Sequence, residues 1–223
     1  MNRTQRFEFF ERLAADNPVP ETELEYTNAF TLLVAVVLSA QMTDAGVNKA
    51  TRALFAVADT PEKMAALGLE SIRAYVATIN FNNIKAKNVL ALSEALIRDH
   101  GGVVPADRSA LEQLPGVGRK TANVVLNSAF GQETFAVDTH IFRVCNRTRL
   151  APGKDPLAVE LKLEKGVPAP FRLHAHHWLI LHGRYTCKAR RPECWRCVVA
   201  DLCPFKPKTP PPAAHANGAG ADA

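Results

Sequence analysis

Apolar residues recur along most of this chain three or four positions apart, which gathers them on one face of a helix. The sets are Ile72, Tyr75, Val76 and Ile79; Val89, Leu92, Leu96 and Ile97; Leu111 and Leu114; Val124, Val125 and Ala129; Ile141, Val144 and Cys145; and Ala175, Trp178 and Leu181. No stretch alternates with the period of two that a half-buried strand needs. The pattern predicts an all-α fold. Ala29 to Ala40 is the longest apolar run and carries Thr31 and Ser39. It is shorter than the roughly 18 residues of a membrane span and reads as a buried core helix. Punctuation agrees. Thr60-Pro61-Glu62 offers an N-cap, a proline for the first turn and an acid at the positive dipole end. Gly68 closes that helix, Gly101-Gly102 stops another, and Asp107 caps a short one. Leu163 to Pro170 reads as a connection. The segment from Pro204 to Ala223 is rich in Pro, Ala and Gly, buries little apolar area and is expected to be disordered. No solenoid repeat is visible.

A chain of 223 residues makes one large domain or two small ones. With 47% apolar and 22% charged residues it matches a soluble globular protein and not a membrane protein. Lys and Arg number 27 against 22 Asp and Glu, a net charge of +5 that suits nucleic acid without demonstrating it. The first twelve residues hold no apolar segment followed by a small-residue cleavage site, so a cytoplasmic and not a secreted protein is expected. Four of the five cysteines lie between Cys187 and Cys203. A disulfide framework would spread its cysteines, whereas a tight group reads as a metal site. Cys145 stands alone and reads as a small buried residue.

The chemistry concentrates in three segments. In Leu114-Pro115-Gly116-Val117-Gly118-Arg119-Lys120-Thr121 a short helix enters and a longer one leaves. Gly116 and Gly118 allow a tight turn, and the N–H groups that open the next helix face outward as an anion site. The segment resembles a helix-hairpin-helix DNA-binding element. Lys120 sits in the first turn, where the macrodipole disfavours its ammonium form and partial burial would disfavour it further. A neutral amine is a nucleophile able to form a Schiff base; a solvated lysine on phosphate is the bland alternative. Asp138, in Val137-Asp138-Thr139-His140, precedes a periodic helix. It suits an N-cap, a carboxylate that stabilises positive charge on a sugar, or both. The spacing Cys187-x6-Cys194-x2-Cys197-x5-Cys203 accommodates either zinc or a four-iron cluster. Lys188, Arg190, Arg191 and Arg196 in that loop either press on a phosphate backbone or line a solvated surface.

These segments, together with Leu38-Ser39-Ala40-Gln41 and Leu181-His182-Gly183-Arg184-Tyr185-Thr186-Cys187, stand in one order and separation. From about Arg3 to Pro204 the chain resembles the endonuclease III family, bifunctional DNA glycosylases with an iron–sulfur cluster. The resemblance implies two helical lobes with DNA in the cleft between them. Residues 23–131 would form a six-helix lobe with the hairpin, 1–22 and 132–204 a cluster-bearing lobe, and 205–223 a disordered tail. It implies a monomer that acts on double-stranded DNA containing damaged pyrimidines or abasic sites. Lys120 would attack C1′, Asp138 would assist base loss, and β-elimination would cut the strand. Cys187, Cys194, Cys197 and Cys203 would hold one [4Fe-4S] cluster. Gln41 would fill the space left by the extruded base and Phe81 would wedge into the opposite strand. Gly116, Gly118, Arg119, Lys188, Arg190 and Arg191 would meet the DNA backbone. Asn80-Phe81-Asn82-Asn83 departs from the family's Gly-apolar-Tyr-Asn pattern at the wedge.

Two rivals are distinguishable. An adenine-mismatch glycosylase of the same fold lacks the lysine found here at 120 and carries a large extra C-terminal domain. A non-catalytic DNA-binding module would have no use for Lys120 beside Asp138.

Overall fold

The computed structural model describes residues 1–212; the remainder of the predicted tail, 213–223, lies outside the described residues. Ten α-helices follow in order: α1 (Arg3–Asp16), α2 (Ala29–Leu38), α3 (Asp44–Val57), α4 (Pro61–Tyr75), α5 (Asn82–His100), α6 (Arg108–Glu112), α7 (Arg119–Phe130), α8 (Thr139–Thr148), α9 (Pro156–Gly166) and α10 (Arg172–Leu181). No strand occurs among the described residues.

The helix starts follow from short polar side chains. Asn2, Asn28, Thr43, Thr60, Asp107, Asp138 and Asp155 each accept a hydrogen bond from a backbone N–H of the helix they precede. Helices α5, α7 and α10 lack that device: Phe81, Gly118 and Phe171 precede them and none caps through a side chain. Within α4, Gly68 takes a left-handed φ of 71° and kinks the element into two short helices.

Burial sorts these helices into two apolar cores. The first runs from Leu24 to Leu126 and is built by α2 to α7. Its axis is α2, in which every residue from Phe30 to Leu38 is buried. A helix apolar on all sides must be central, and α2 packs against α3, α5 and α7. The second core joins Phe9, Phe10 and Leu13 of α1 to residues from Phe135 to Val199. The chain therefore begins in this core, leaves to build the first and returns. Phe10, Phe171 and Trp178 meet with ring centroids 6.0 to 6.4 Å apart, and the Trp178 indole N–H donates to the Asn17 carbonyl at 2.8 Å.

Polar ties join the halves. Arg119, at the start of α7, donates through Nε and Nη2 to Glu160 of α9. Glu160 is only 4% exposed and also accepts from Asn123 at 3.1 Å. Asn127 donates to the Leu173 carbonyl at 3.0 Å.

Three expectations change. The connection predicted at Leu163 begins only at Val167, because Asp155 and Pro156 start α9 and Leu163 is buried within it. The late helix does not stop with its last periodic residue, Leu181. It continues as one π turn, His182–Thr186, and a Cβ at Gly183 would stand 2.8 Å from the Cβ of His140. Only glycine lets these segments approach so closely. The tail is attached where it begins: the Phe205 ring lies 4.6 Å beneath the Arg147 guanidinium, and Lys208 donates to the Cys203 carbonyl at 2.6 Å.

Candidate active site and cysteine centre

The turn that enters α7 is set by two glycines for different reasons. Gly116 has φ 78°, and a Cβ there would lie within 2.8 to 3.1 Å of the Asn88 side chain. Gly118 has an ordinary φ of −104° and nothing within 4 Å of a Cβ position. It leaves the first turn of α7 without a side-chain acceptor and open to an anion from outside. Lys120 emerges from that turn and is exposed.

Lys120 and Asp138 line one cavity between the two cores, with Ser39, Asp44, Val124, His176 and Arg184 among its other walls. The Asp138 carboxylate accepts from the N–H groups of His140 and Ile141, both at 2.9 Å. Capping and display at the cavity are thus one arrangement: the helix start fixes the carboxylate. Asp44 opens α3 on the far wall and pairs with Arg184 at 2.7 Å. Burial raises the Asp44 carboxyl and Asp138 adds to the rise, while Lys120 and His140 oppose it. Arg184 also pairs with Glu23, which accepts in turn from the Tyr185 hydroxyl. His176 is buried, and its Nδ1 accepts from the Ala136 N–H at 3.3 Å. Burial first, then His177 and Lys120, hold its imidazole neutral well below the ordinary range.

The two predicted insertion residues are displayed. Gln41 (φ 56°) and Phe81 (φ 59°) both adopt left-handed backbone, and Phe81 is 60% exposed. Ile84, one turn further along α5, is 63% exposed and extends the apolar edge. Arg119 is engaged with Glu160 instead of facing outward freely. In the basic loop Lys188 and Arg196 share Glu193, while Arg190 and Arg191 are exposed and form no ion pair among the described residues.

Cys187, Cys194, Cys197 and Cys203 line a single cavity closed by Pro192, Val199 and Phe205. All are free thiols. Among the described residues no three His, Cys, Asp or Glu side chains converge closely enough to grip one metal ion. Four thiols around one cavity match the all-cysteine ligand set of an iron–sulfur cluster. Burial, aided by the three neighbouring thiols, pushes Cys197 up to about 11, so the group of thiolates needs a cationic centre among them. Helix α8 braces the loop from the site side. Arg143 donates to the carbonyls of Cys187 and Gly183 at 2.9 and 2.6 Å. Arg147 donates to Lys188 and Ala189 carbonyls and to the Cys187 sulfur at 3.4 Å.

Sequence reasoning overlooked Asp44, Arg184, Arg143 and Arg147. For the last two a signal existed: they stand four apart on α8, off the face marked by Ile141, Val144 and Cys145.

Comparison with known proteins agrees with this arrangement. The family model described as HhH-GPD superfamily base excision DNA repair protein matches residues 34–169. The iron–sulfur binding domain of endonuclease III matches residues 187–203. Endonuclease III of Escherichia coli strain K12 is 58% identical over 208 residues, covering 93% of this chain and 99% of its own. The Haemophilus influenzae endonuclease III is 58% identical over the same lengths. A solved structure of a trapped endonuclease III–DNA covalent intermediate, the estranged-adenine complex, superposes with a TM-score of 0.85 at 42% identity, covering 92% of this chain and 96% of that one. With a lysine and a capped carboxylate facing one cavity, four thiols around another, and these similarities across nearly all its length, the chain belongs to the endonuclease III family of the HhH-GPD superfamily.

Proposed function

We propose that Lys120 and Asp138 are the catalytic pair of this enzyme, a base-excision DNA glycosylase that removes damaged pyrimidines and then cleaves the strand as an abasic-site lyase. The observation that carries the assignment is the shared cavity: an amine and a backbone-anchored carboxylate converge where the halves of the molecule meet. Taking 23–131 as one lobe and 1–22 plus 132–204 as the other, the cavity is lined from both, and a nucleotide turned out of the duplex is delivered to it. Extrusion costs a few kcal/mol, less for a damaged base.

The Lys120 amine, once deprotonated, attacks C1′ as the glycosidic bond breaks, and one of its N–H protons passes to the departing base. Asp138 stabilises the positive charge that develops on the sugar. The remaining N–H proton moves to O4′ as the C1′–O4′ bond breaks, and the opened sugar is held as an imine between Nζ and C1′. Removal of a C2′ proton then expels the 3′ phosphate by β-elimination. Water finally hydrolyses the imine and frees Lys120. Gln41 fills the space left by the extruded base and Phe81 wedges into the opposite strand. The open first turn of α7 and the exposed Arg190 and Arg191 hold phosphates. When bound, a [4Fe-4S] cluster on Cys187, Cys194, Cys197 and Cys203 cross-links the basic loop through thiolate–iron bonds. No helix among the described residues is long and apolar enough to cross a membrane, and the enzyme acts as a monomer on DNA in the cytoplasm.

Borohydride trapping tests the assignment. Wild-type protein with a duplex carrying one oxidised pyrimidine should yield a covalent adduct. Lys120→Ala should yield none yet still bind, and Asp138→Asn should slow base release by about 100-fold or more. An undiminished adduct from Lys120→Ala removes the lysine from the mechanism.

A further inference from the structure

The Gln41 and Phe81 loops come from different parts of the chain, yet they are tied together. The Asn80 side chain donates through Nδ2 to the Gln41 carbonyl at 2.8 Å. Lys85, on the first turn of α5, extends its ammonium beneath the same loop and donates to the Leu38 and Ala40 carbonyls at 2.8 and 2.5 Å. Lys85 is 6% exposed and has no carboxylate partner among the described residues. Its acceptors are the C-terminal end of α2, where unpaired carbonyls and the negative end of the macrodipole satisfy a cation. On the other side of Phe81, Asn82 donates to the Ala77 carbonyl at 2.8 Å.

Gln41 and Phe81 each hold a left-handed φ without being glycine. Such a conformation persists only where its surroundings impose it. Here the impositions are shared: the donor that anchors the Gln41 carbonyl is the residue immediately before Phe81.

We propose that Asn80, supported by Lys85, locks the two insertion loops into one preset unit, so that Gln41 and Phe81 enter the duplex together. Asn80 is a positioning residue: it touches the loop that carries Gln41, not the reacting sugar. This rests on the function proposed above. The lock matters only when a stacked nucleotide must be displaced and its space filled, because loops already ordered lose less freedom on insertion. It contributes nothing when the sugar is already accessible.

The test uses the full chain with its cluster and two substrates. One is a duplex with a single oxidised pyrimidine; the other is a single-stranded oligonucleotide with one abasic site. For Asn80→Ala and for Asn80→Asp, which keeps the shape but loses the donor, borohydride trapping on the duplex should slow about three- to tenfold. Trapping on the single strand should stay within about twofold of wild type, since one exposed hydrogen bond is lost. Fluorescence of 2-aminopurine opposite the lesion should report slower insertion in both variants. Equal slowing on both substrates, or wild-type rates on the duplex, overturns the lock. Absence of any adduct from wild-type protein on either substrate overturns the underlying function instead, and is distinguishable for that reason.

Discussion

The half of the molecule built from α2 to α7 and the half that carries the cysteines hold themselves together differently. The interior of the first is mostly aliphatic, with Phe30 and Met64 and a few buried polar side chains, Thr31, Thr51, Ser93 and Lys85 among them. It has a fully buried helix at its axis, so its stability is apolar area removed from water. The second buries Phe9, Phe10, Phe135 and Trp178, and also His176, His177 and His182. From Cys187 to Cys203 its only regular structure is the three-residue 3-10 turn Cys194–Arg196. That stretch relies on Arg143, Arg147 and the thiol centre for its shape. A half with no buried imidazole tolerates acid that a half with three does not.

The largest break in this contrast comes from the metal. Cys194→Ser should lower iron from about four per chain toward zero. Hydrogen exchange should show 187–208 losing protection while α2 to α7 keep theirs. Unchanged exchange across 187–208 would mean that the arginines alone shape the loop.

Hydrocarbon packing comes next. Leu92 is fully buried in the first core, so Leu92→Ala should cost about 2–5 kcal/mol. Denaturant unfolding followed by signals from α2 to α7 measures it. A cost below about 1 kcal/mol would show that this core can collapse around the cavity.

Acid should discriminate between the halves. Burial first, then His174, lowers the folded His177 imidazole from 6.5 to about 4. The unfolded chain therefore binds more protons between those values. The stability that His177 confers is full above about pH 6.5 and is lost as pH falls toward 4, by a few kcal/mol at most. Thermal melts from pH 7 to 4.5 should decline, and His177→Gln should flatten the decline. Equal slopes for the two proteins would remove the imidazole as the sensor.

Much of this was legible beforehand because it is local. The apolar run at 29–40, the caps at Thr60 and Asp107, the hairpin glycines and the cysteine spacing all depend on neighbours in sequence. What escaped depends on partners far apart: Arg119 with Glu160, Arg184 with Asp44 and Glu23, and Lys85 with the end of α2. Helical periodicity marks which face is buried, not which distant carbonyl or carboxylate awaits a cation. Phe205 escaped for the same reason, since a proline-rich context hides a ring that has Arg147 to rest on.

Gly118 carries a lesson for anyone redesigning this chain. Serine there would supply the missing N-cap acceptor and stabilise α7 by a few tenths of a kcal/mol, a rise of about one degree in melting temperature. The same hydroxyl would occupy the amide protons that an incoming phosphate needs, so the hardier protein should hold DNA less tightly. Thermostability screens would reward that change, and repair assays would reject it.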